Sequence, residues 1–375
     1  MNGSIGRHRW ESSSIKAAAL CFILASGCSD TSTCVSCQDD EIDPSELVDP
    51  RSLGDGSGYP GTTWTVAPSP AALGWSRTRL EGAGEMASAM GSDAFMVVDR
   101  GVSVWEYGHV SKNYVVQSCR KSFLSALYGI FVHDGTIDLS LTLEELGIDD
   151  LPPSLTAEEK QATLEHLIMA RSGVYHEAAA ESQSMKDARP ERGSHPPGTF
   201  YYYNNWDFNV LGTVFRELTG EDIFESIHQR FGIPLQMEEF QPSNGWYYYQ
   251  EMSEHPAYHF AMSARDMARF GLLFLRDGQW RGQQVVPAEW VERSVQPYSD
   301  TGGNTWNYGY MWWVGKPEAW GGNRVFAALG GSGQAIFVFP DLQVVITHKV
   351  DYDSWRGNWG AVYDLVRQIL YAKVL

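Results

Sequence analysis

Hydrophobic and polar positions recur with different periods at the two ends of this chain and in its middle. Leu80, Ala83, Met86, Ala87 and Met90 repeat at helical spacing and predict a helix over about 76–90. Ala94 to Val98 and Val102 to Tyr107 are short apolar runs joined through Asp99-Arg100-Gly101, which reads as a hairpin. The apolar run from Phe123 to Val132 predicts a helix that opens at Ser118 and is stopped by Gly135. From about Gly135 to Pro297 the pattern is rich in helices and loops. Helices are expected over 157–169, 208–219 with Gly220 as its stop, 222–231 and 264–276, the last with Ser263 as N-cap and Asp266 at N3. The period then changes: 308–314, 325–329, 335–339 and 344–350 predict strands between glycine- and proline-rich turns, and a helix over 360–374 follows.

Strands at both ends with helices between them imply an α+β fold. The economical topology is one antiparallel sheet built from both chain ends and flanked by the terminal helices, with a helical lobe inserted over about 135–300. A ligand would sit in the cleft between the lobes. There is no internal repeat.

The N-terminus reads differently. Arg7, Arg9 and Lys16 precede the short apolar stretch Ala17 to Ala25, which is too short to span a bilayer and fits a signal-peptide core. Residues 1–27 are therefore expected to be a leader. Ser26-Gly27-Cys28 resembles a bacterial lipobox, which would make Cys28 the lipidated first residue of an exported, membrane-anchored protein. Residues 28–73 are rich in Ser, Asp, Gly, Thr and Pro and predict a flexible acidic tether, with packing near Trp64, before a domain over 74–375. Cys34 and Cys37 are spaced for a local disulfide; zinc would need a second pair of ligands that the tether lacks.

Composition narrows the partners. Across 375 residues, 43% hydrophobic and 13% aromatic content supports a sizeable core. A formal charge of −18 argues against nucleic acid and against a basic membrane-binding face, so membrane contact is expected only through a lipid anchor. The ten histidines are scattered, no metal-binding motif occurs, and no cofactor is expected.

The chemistry centres on two motifs. In Gln117-Ser118-Cys119-Arg120-Lys121-Ser122, a serine and a lysine three residues apart share one helix face. There an amine can take the proton of a serine nucleophile, and the helix N-terminus favours developing negative charge. Ser13 and Lys16 repeat the spacing, but within the leader. Cys119 reads as a packing thiol. In the second motif, Tyr203 and Asn205 follow Pro197-Gly198-Thr199 and precede Leu211-Gly212. A phenol can relay a proton to a leaving group, and a carboxamide can hold both an amine and a carbonyl. Tyr201 and Tyr202 read as packing aromatics.

On these motifs, and on Ala170-Arg171-Ser172-Gly173-Val174-Tyr175-His176 between them, the chain from about Ser76 onward resembles the serine β-lactamase/penicillin-binding-protein superfamily. Within it the resemblance is to class C β-lactamases, family VIII esterases and 6-aminohexanoate-dimer hydrolase-like enzymes. The resemblance implies a serine hydrolase that forms an acyl-enzyme on Ser118, with Lys121 and Tyr203 as acid/base and Asn205 orienting Lys121 and substrate. It also implies an oxyanion held by the N–H groups of Ser118 and Gln334, a substrate wall at Ser332 and Gly333, and Tyr175 as a mobile residue closing over substrate. Trp306 to Trp313 would wall an acyl pocket. The chain departs from the superfamily at its third motif, where Gly331 replaces the lysine or histidine that binds the carboxylate of penicillins and peptide stems. The substrate is accordingly expected to be a small ester or amide. A β-lactamase, a D-amino-acid peptidase and a non-catalytic binding or sensor domain on this fold are the alternatives.

Overall fold

The computed structural model describes residues 42–352 and 355–375. The expected leader, Cys28 and the Cys34/Cys37 pair lie outside the described residues, as does the first part of the expected tether.

Helix α1 (Arg77–Ala89) opens on Ser76, whose Oγ accepts from the Arg79 N–H. It leads into the hairpin β1 (Ala94–Asp99) and β2 (Val102–Gly108), the short strand β3 (Tyr114–Val115) and helix α2 (Arg120–His133). The middle of the chain holds α3 (Leu164–Ile168), α4 (Gln183–Ala188), α5 (Asn205–Thr219) and α6 (Ile223–Ile227). A hairpin of β4 (Gly245–Gln250) and β5 (Ser253–Met262) then precedes α7 (Ala264–Leu275). Next come the two-residue strands β6 (Gln279–Trp280) and β7 (Gln283–Gln284), helix α8 (Ala288–Ser294), and the strands β8 (Ser299–Asp300), β9 (Trp306–Tyr308) and β10 (Trp313–Gly315). Strands β11 (Phe326–Gly330), β12 (Gln334–Phe339) and β13 (Val344–Lys349) are followed by α9 (Trp359–Tyr371).

The main sheet has eight antiparallel strands in the order β2-β1-β13-β12-β11-β10-β9-β8, so the two ends of the domain meet where β1 pairs with β13. Alternation along the strands separates two cores. Phe95, Val97, Phe337 and Ile346 face α1 and α9 in one. Met96, Val98, Ile336, Val338 and Val345 face α7 and the helical lobe in the other. Helix α7 lies close on the sheet because Gly271 has no side chain. A Cβ there would stand 2.6 Å from Val345 Cγ1 and 2.8 Å from Ile336 Cγ2. This is the α+β architecture expected, with the sheet drawn from both chain ends.

Several elements differ from expectation, each for a local reason. The helix expected over 157–169 is a 3₁₀ turn (Glu159–Gln161) followed by α3, because Thr163 and His166 form a reciprocal cap that starts a new helix. Ala162 is extended and its carbonyl accepts from the Leu143 N–H. The helix expected over 222–231 is α6 alone, continued by a single π-turn over His228–Gly232. The strand expected over 308–314 is split into β9 and β10, since the intervening turn docks on α2. Ser122 Oγ donates to Met311 O at 2.8 Å and Ser125 Oγ to Tyr310 O at 2.7 Å. The β4–β5 hairpin inside the helical lobe was not expected.

The tether reading is corrected from Ile42 to Leu73. This segment lies on the domain: Trp64 and Leu73 are buried, Trp64 Nε1 donates to Arg265 O, the Ala67 N–H donates to Ser103 O of β2, and the Ser103 N–H donates to Thr65 O. The packing expected near Trp64 is present, on α7, and the polar composition hid a second anchoring aromatic, Tyr59, that packs on Trp280.

Candidate active site

Ser118 sits in a 3₁₀ turn (Gln117–Cys119) that runs directly into α2, rather than in the first α-helical turn. Gln117 before it has φ 51°, a left-handed conformation that a non-glycine residue adopts at a cost. The turn is closed from the other side by β11. A Cβ on Gly330 would stand 2.5 Å from Val116 O and 2.9 Å from Ser118 N, so a glycine is required for this strand to reach the Ser118 backbone.

Lys121 Nζ is the centre of the site. It lies 2.9 Å from Ser118 Oγ, 2.7 Å from Tyr203 Oη and 2.9 Å from Asn205 Oδ1. The rings of Tyr203 and Phe208 cover it at 4.3 and 4.5 Å. The side chain is 1% exposed, and among the described residues no carboxylate pairs with it. Burial, and then the neighbouring Arg120 charge, hold the amine well below the ordinary lysine value. Burial pushes the Tyr203 phenol up to about 12, so it keeps its proton at neutral pH. The Cys119 thiol is likewise pushed up to about 12 by burial and donates to Ala328 O and Gln334 O, which makes it a packing contact.

The second motif is held by contacts between distant parts of the chain. Helix α5 begins at Asn205, three residues earlier than the apolar period indicates, because Asn204 caps it: its Oδ1 accepts from the Trp206 N–H. Asn204 Nδ2 and Ser172 Oγ both donate to Asp207 Oδ1, a buried carboxyl whose pKa burial raises far above the carboxylate range. Asn205 Nδ2 donates to Ala180 O at 2.6 Å, which orients its Oδ1 toward Lys121. Trp206 Nε1 donates to Asp150 Oδ2. Asp150, Glu254 and His255 lie close enough together to hold a cation. Yet the Asp150 carboxylate accepts from Trp206, Ser253 and the Leu151 and Glu254 N–H groups, and His255 Nε2 faces Asp149 O. These hydrogen bonds give the cluster a structural task.

A cavity of about 500 Å³ opens over Ser118, Tyr203 and Asn205. Leu329, Gly330 and Gly331 form one wall, Ala180, Ser182, Ser184 and Met185 another, and Gln117, Arg120, Trp313, Trp359, Tyr363 and His259 the remainder. The structure thus brings Ser118, Lys121, Tyr203 and Asn205 together and leaves other expected site residues outside. Ser332, Gly333 and Gln334 follow the wall strand but do not line the cavity. Gln334 is buried, pairs with Gly330 across β11 and β12, and donates from Nε2 to Val350 O. Tyr175 is buried, with its hydroxyl at 3.1 Å from His195 Nδ1, and is likewise off the cavity. Of the tryptophan-rich stretch, Trp313 lines the cavity, while Trp306 and Trp312 are core residues. Trp359 and Tyr363 on α9, His259 on β5 and the 182–185 segment were not expected. No motif marks them, since they converge only through the tertiary fold.

The profile of the Beta-lactamase family matches residues 78–350. No curated protein matches the sequence significantly. Among solved structures, a proposed 6-aminohexanoate-dimer hydrolase from Bacillus anthracis superposes with a TM-score of 0.59 at 23% identity, over 76% of this chain and 80% of that one. An octameric penicillin-binding protein homologue from Pyrococcus abyssi superposes with a TM-score of 0.58 at 15% identity, over 77% and 76% of the two chains. A penicillin-binding protein homologue from Caulobacter crescentus gives 0.60 at 13% identity, over 82% and 98%. At these identities the superpositions speak to the fold.

Proposed function

The chain belongs to the beta-lactamase family, and from that premise we propose that it is a serine hydrolase cleaving an ester or amide bond through an acyl-enzyme on Ser118. The observation that carries this reading is the convergence of Ser118 Oγ, Tyr203 Oη and Asn205 Oδ1 on one buried lysine amine without a carboxylate partner. An unprotonated amine has two N–H groups and one lone pair. It donates to Asn205 Oδ1, which can only accept, and its lone pair is free for the Ser118 proton.

As Ser118 Oγ bonds to the substrate carbonyl carbon, its proton passes to Lys121 and the carbonyl π pair moves onto oxygen. The oxyanion is held by the Ser118 N–H and a second backbone N–H beside the Leu329–Gly331 wall, the place that the resemblance gives to Gln334. Collapse expels the leaving amine or alkoxide, which takes the Tyr203 proton; the phenolate regains one from the Lys121 ammonium. Water then attacks the acyl-enzyme by the same relay in reverse order, releasing the acid and restoring Ser118. Gly331 leaves the wall at Leu329–Gly331 without the cation that the superfamily uses for a β-lactam carboxylate, which is the ground for preferring an ester or amide, while Arg120 lines the same cavity.

Labelling with a fluorophosphonate and with fluorescent penicillin, in wild type and Ser118→Ala, tests the reading. Ser118-dependent fluorophosphonate labelling is expected. Absence of Ser118-dependent labelling by either probe would leave a binding or sensor domain, and labelling by penicillin alone would turn the assignment to β-lactam chemistry. Turnover of short p-nitrophenyl esters against short amides then divides esterase from amidase. Among the described residues no helix is long and apolar enough to cross a membrane. We further propose export on the 1–27 leader with a lipid on Cys28; a Cys28→Ser protein that still partitions into detergent would contradict the lipid.

A further inference from the structure

The cavity over Ser118 adjoins an aromatic surface that the relay above does not use. Strand β4 is the outer strand of the three-stranded sheet β3-β5-β4, and it pairs Trp246 with His259 and Tyr248 with Ala257 on β5. Successive side chains along such a strand point to opposite faces. On one face Tyr247 is anchored: its hydroxyl donates to Asp222 Oδ2 at 2.8 Å, its ring lies 4.9 Å from that of Phe224, and Arg216 covers it at 4.6 Å. On the other face Trp246 and Tyr248 both meet His259. The Trp246 ring stacks on the imidazole at 5.7 Å and 20°, and the Tyr248 ring approaches it edge-on at 6.3 Å and 77°. Trp246 is 41% exposed and Tyr248 42%.

Both ends of β4 are joined to the walls of the cavity. At one end Trp246 backs His259, which lines the cavity together with Ser118 and Arg120. At the other end Gln250 Oε1 accepts from the Ala180 N–H at 2.9 Å, and Ala180 lines the cavity too. Ala180 is fixed in turn by Asn205, whose Nδ2 donates to its carbonyl. With Tyr247 anchored between them, Trp246 and Tyr248 are in place before substrate arrives. Burial, then the Arg120 and Lys121 charges, keep His259 neutral, so the surface is aromatic and uncharged. Its size suits a small molecule. A stable protein partner covers about 800 Å² on each side, whereas two such side chains present at most about 500 Å² together. One ring of a substrate seated in the adjoining cavity matches two side chains.

We propose that Trp246, Tyr248 and His259 form a specificity-determining shelf for the hydrolytic reaction, which takes an uncharged aromatic ring carried by the ester or amide substrate away from its scissile bond. The proposal rests on the serine-hydrolase reading. A ring laid against Trp246 or Tyr248 makes the offset or edge-on contacts that aromatic pairs prefer, and it covers apolar surface now open to water.

The test compares ethyl phenylacetate and benzyl acetate with ethyl acetate, so that the ring is added on either side of the ester, with the matching amides run alongside. The readout is the ratio of kcat/KM with the ring to kcat/KM without it, in wild type, Trp246→Ala, Tyr248→Ala and Tyr249→Ala. The same substrate pairs are used throughout, so differences in intrinsic reactivity cancel between proteins. In wild type the ring is expected to raise kcat/KM about tenfold on one side of the bond, chiefly through KM. Trp246→Ala and Tyr248→Ala are each expected to bring that ratio below about threefold. Tyr249, 64% exposed on the same strand, is the control, and Tyr249→Ala is expected to keep the wild-type ratio. A wild-type ratio near one on both sides would overturn the proposal and leave the exposed rings to a macromolecular partner. A ratio that survives both Trp246→Ala and Tyr248→Ala would overturn it as well, as would losses shared equally by ringed and ringless substrates, which mark a structural effect. Absence of Ser118-dependent fluorophosphonate labelling in wild type would instead count against the serine-hydrolase reading. The shelf is then judged by binding of benzyl acetate in ligand-observed NMR: saturable binding lost in Trp246→Ala supports it, and no binding overturns it.

Discussion

At the scale of single residues, the site depends on which groups hold protons before substrate arrives. Lys121 is buried and low in pKa, whereas Tyr203 is buried and high; the same desolvation pushes a base and an acid toward their neutral forms. A neutral amine beside a neutral phenol is the state from which proton transfer can start in one direction and return in the other. Tyr203→Phe removes the relay and leaves the ring that packs on Phe208 and Trp313. Its kcat for an amide substrate is expected to fall by about 10² to 10⁴-fold. An activated ester, whose leaving group needs no proton, should lose much less. Steady-state kinetics on the pair measures the difference, and equal losses would argue against proton delivery by Tyr203. Ser118, Lys121, Tyr203 and Asn205 were legible as residues because their chemistry follows from side-chain type and short spacing. Tyr175, Ser332, Gly333 and Gln334 were placed by resemblance alone, and none of them lines the cavity.

At the scale of elements, the decisive contact is between the Ser118 turn and the end of β11. Neither segment forms the site without the other: the turn supplies the nucleophile, and the strand backbone closes it at Gly330. Strand β10 pairs with β11 at Phe326 and Ala327, and the following Leu329–Gly331 backbone lines the cavity. Gly330→Ala forces a methyl against two backbone atoms that cannot rotate away. The strand must retreat, and kcat/KM is expected to fall about 100-fold with a stability cost of about 1–3 kcal/mol, read by kinetics and chemical denaturation. Elements with strong periods, α1, α7 and α9 among them, were visible in the sequence to within a few residues. The π-turn after α6, the split of β9 from β10 and the β4–β5 hairpin were not, since each answers to a docking partner rather than to its own pattern.

At the scale of the whole molecule, the fold closes on itself at Asp99. This carboxylate, at the end of β1, accepts from Trp75 Nε1 just before α1, from Lys373 just after α9, and from Arg100. It is fully buried and joins the two terminal helices to β1, the strand next to the sheet's β2 edge. Asp99→Ala leaves a largely buried lysine and an indole N–H without their acceptor. The expected loss of about 3–5 kcal/mol would be measured by denaturant unfolding, with activity per folded molecule preserved because neither Asp99 nor its partners Trp75, Arg100 and Lys373 line the cavity. A loss of activity without a loss of stability would contradict this division.

The sequence by itself determined what local chemistry can encode: the strand and helix periods, the serine–lysine and tyrosine–asparagine motifs, and the glycines that permit close approach. These depend on neighbours a few residues away, and they sufficed for the fold class and the four groups at the centre of the site. The tertiary structure alone decided which surfaces enclose that centre and which charges act on it. His259, Trp359 and the 182–185 segment reach the cavity from three separate elements, and the polar 42–73 segment lies against the domain. The burial that lowers Lys121 and leaves Arg120 Nε and Nη2 without an acceptor is a property of the whole packed interior, which no stretch of sequence contains.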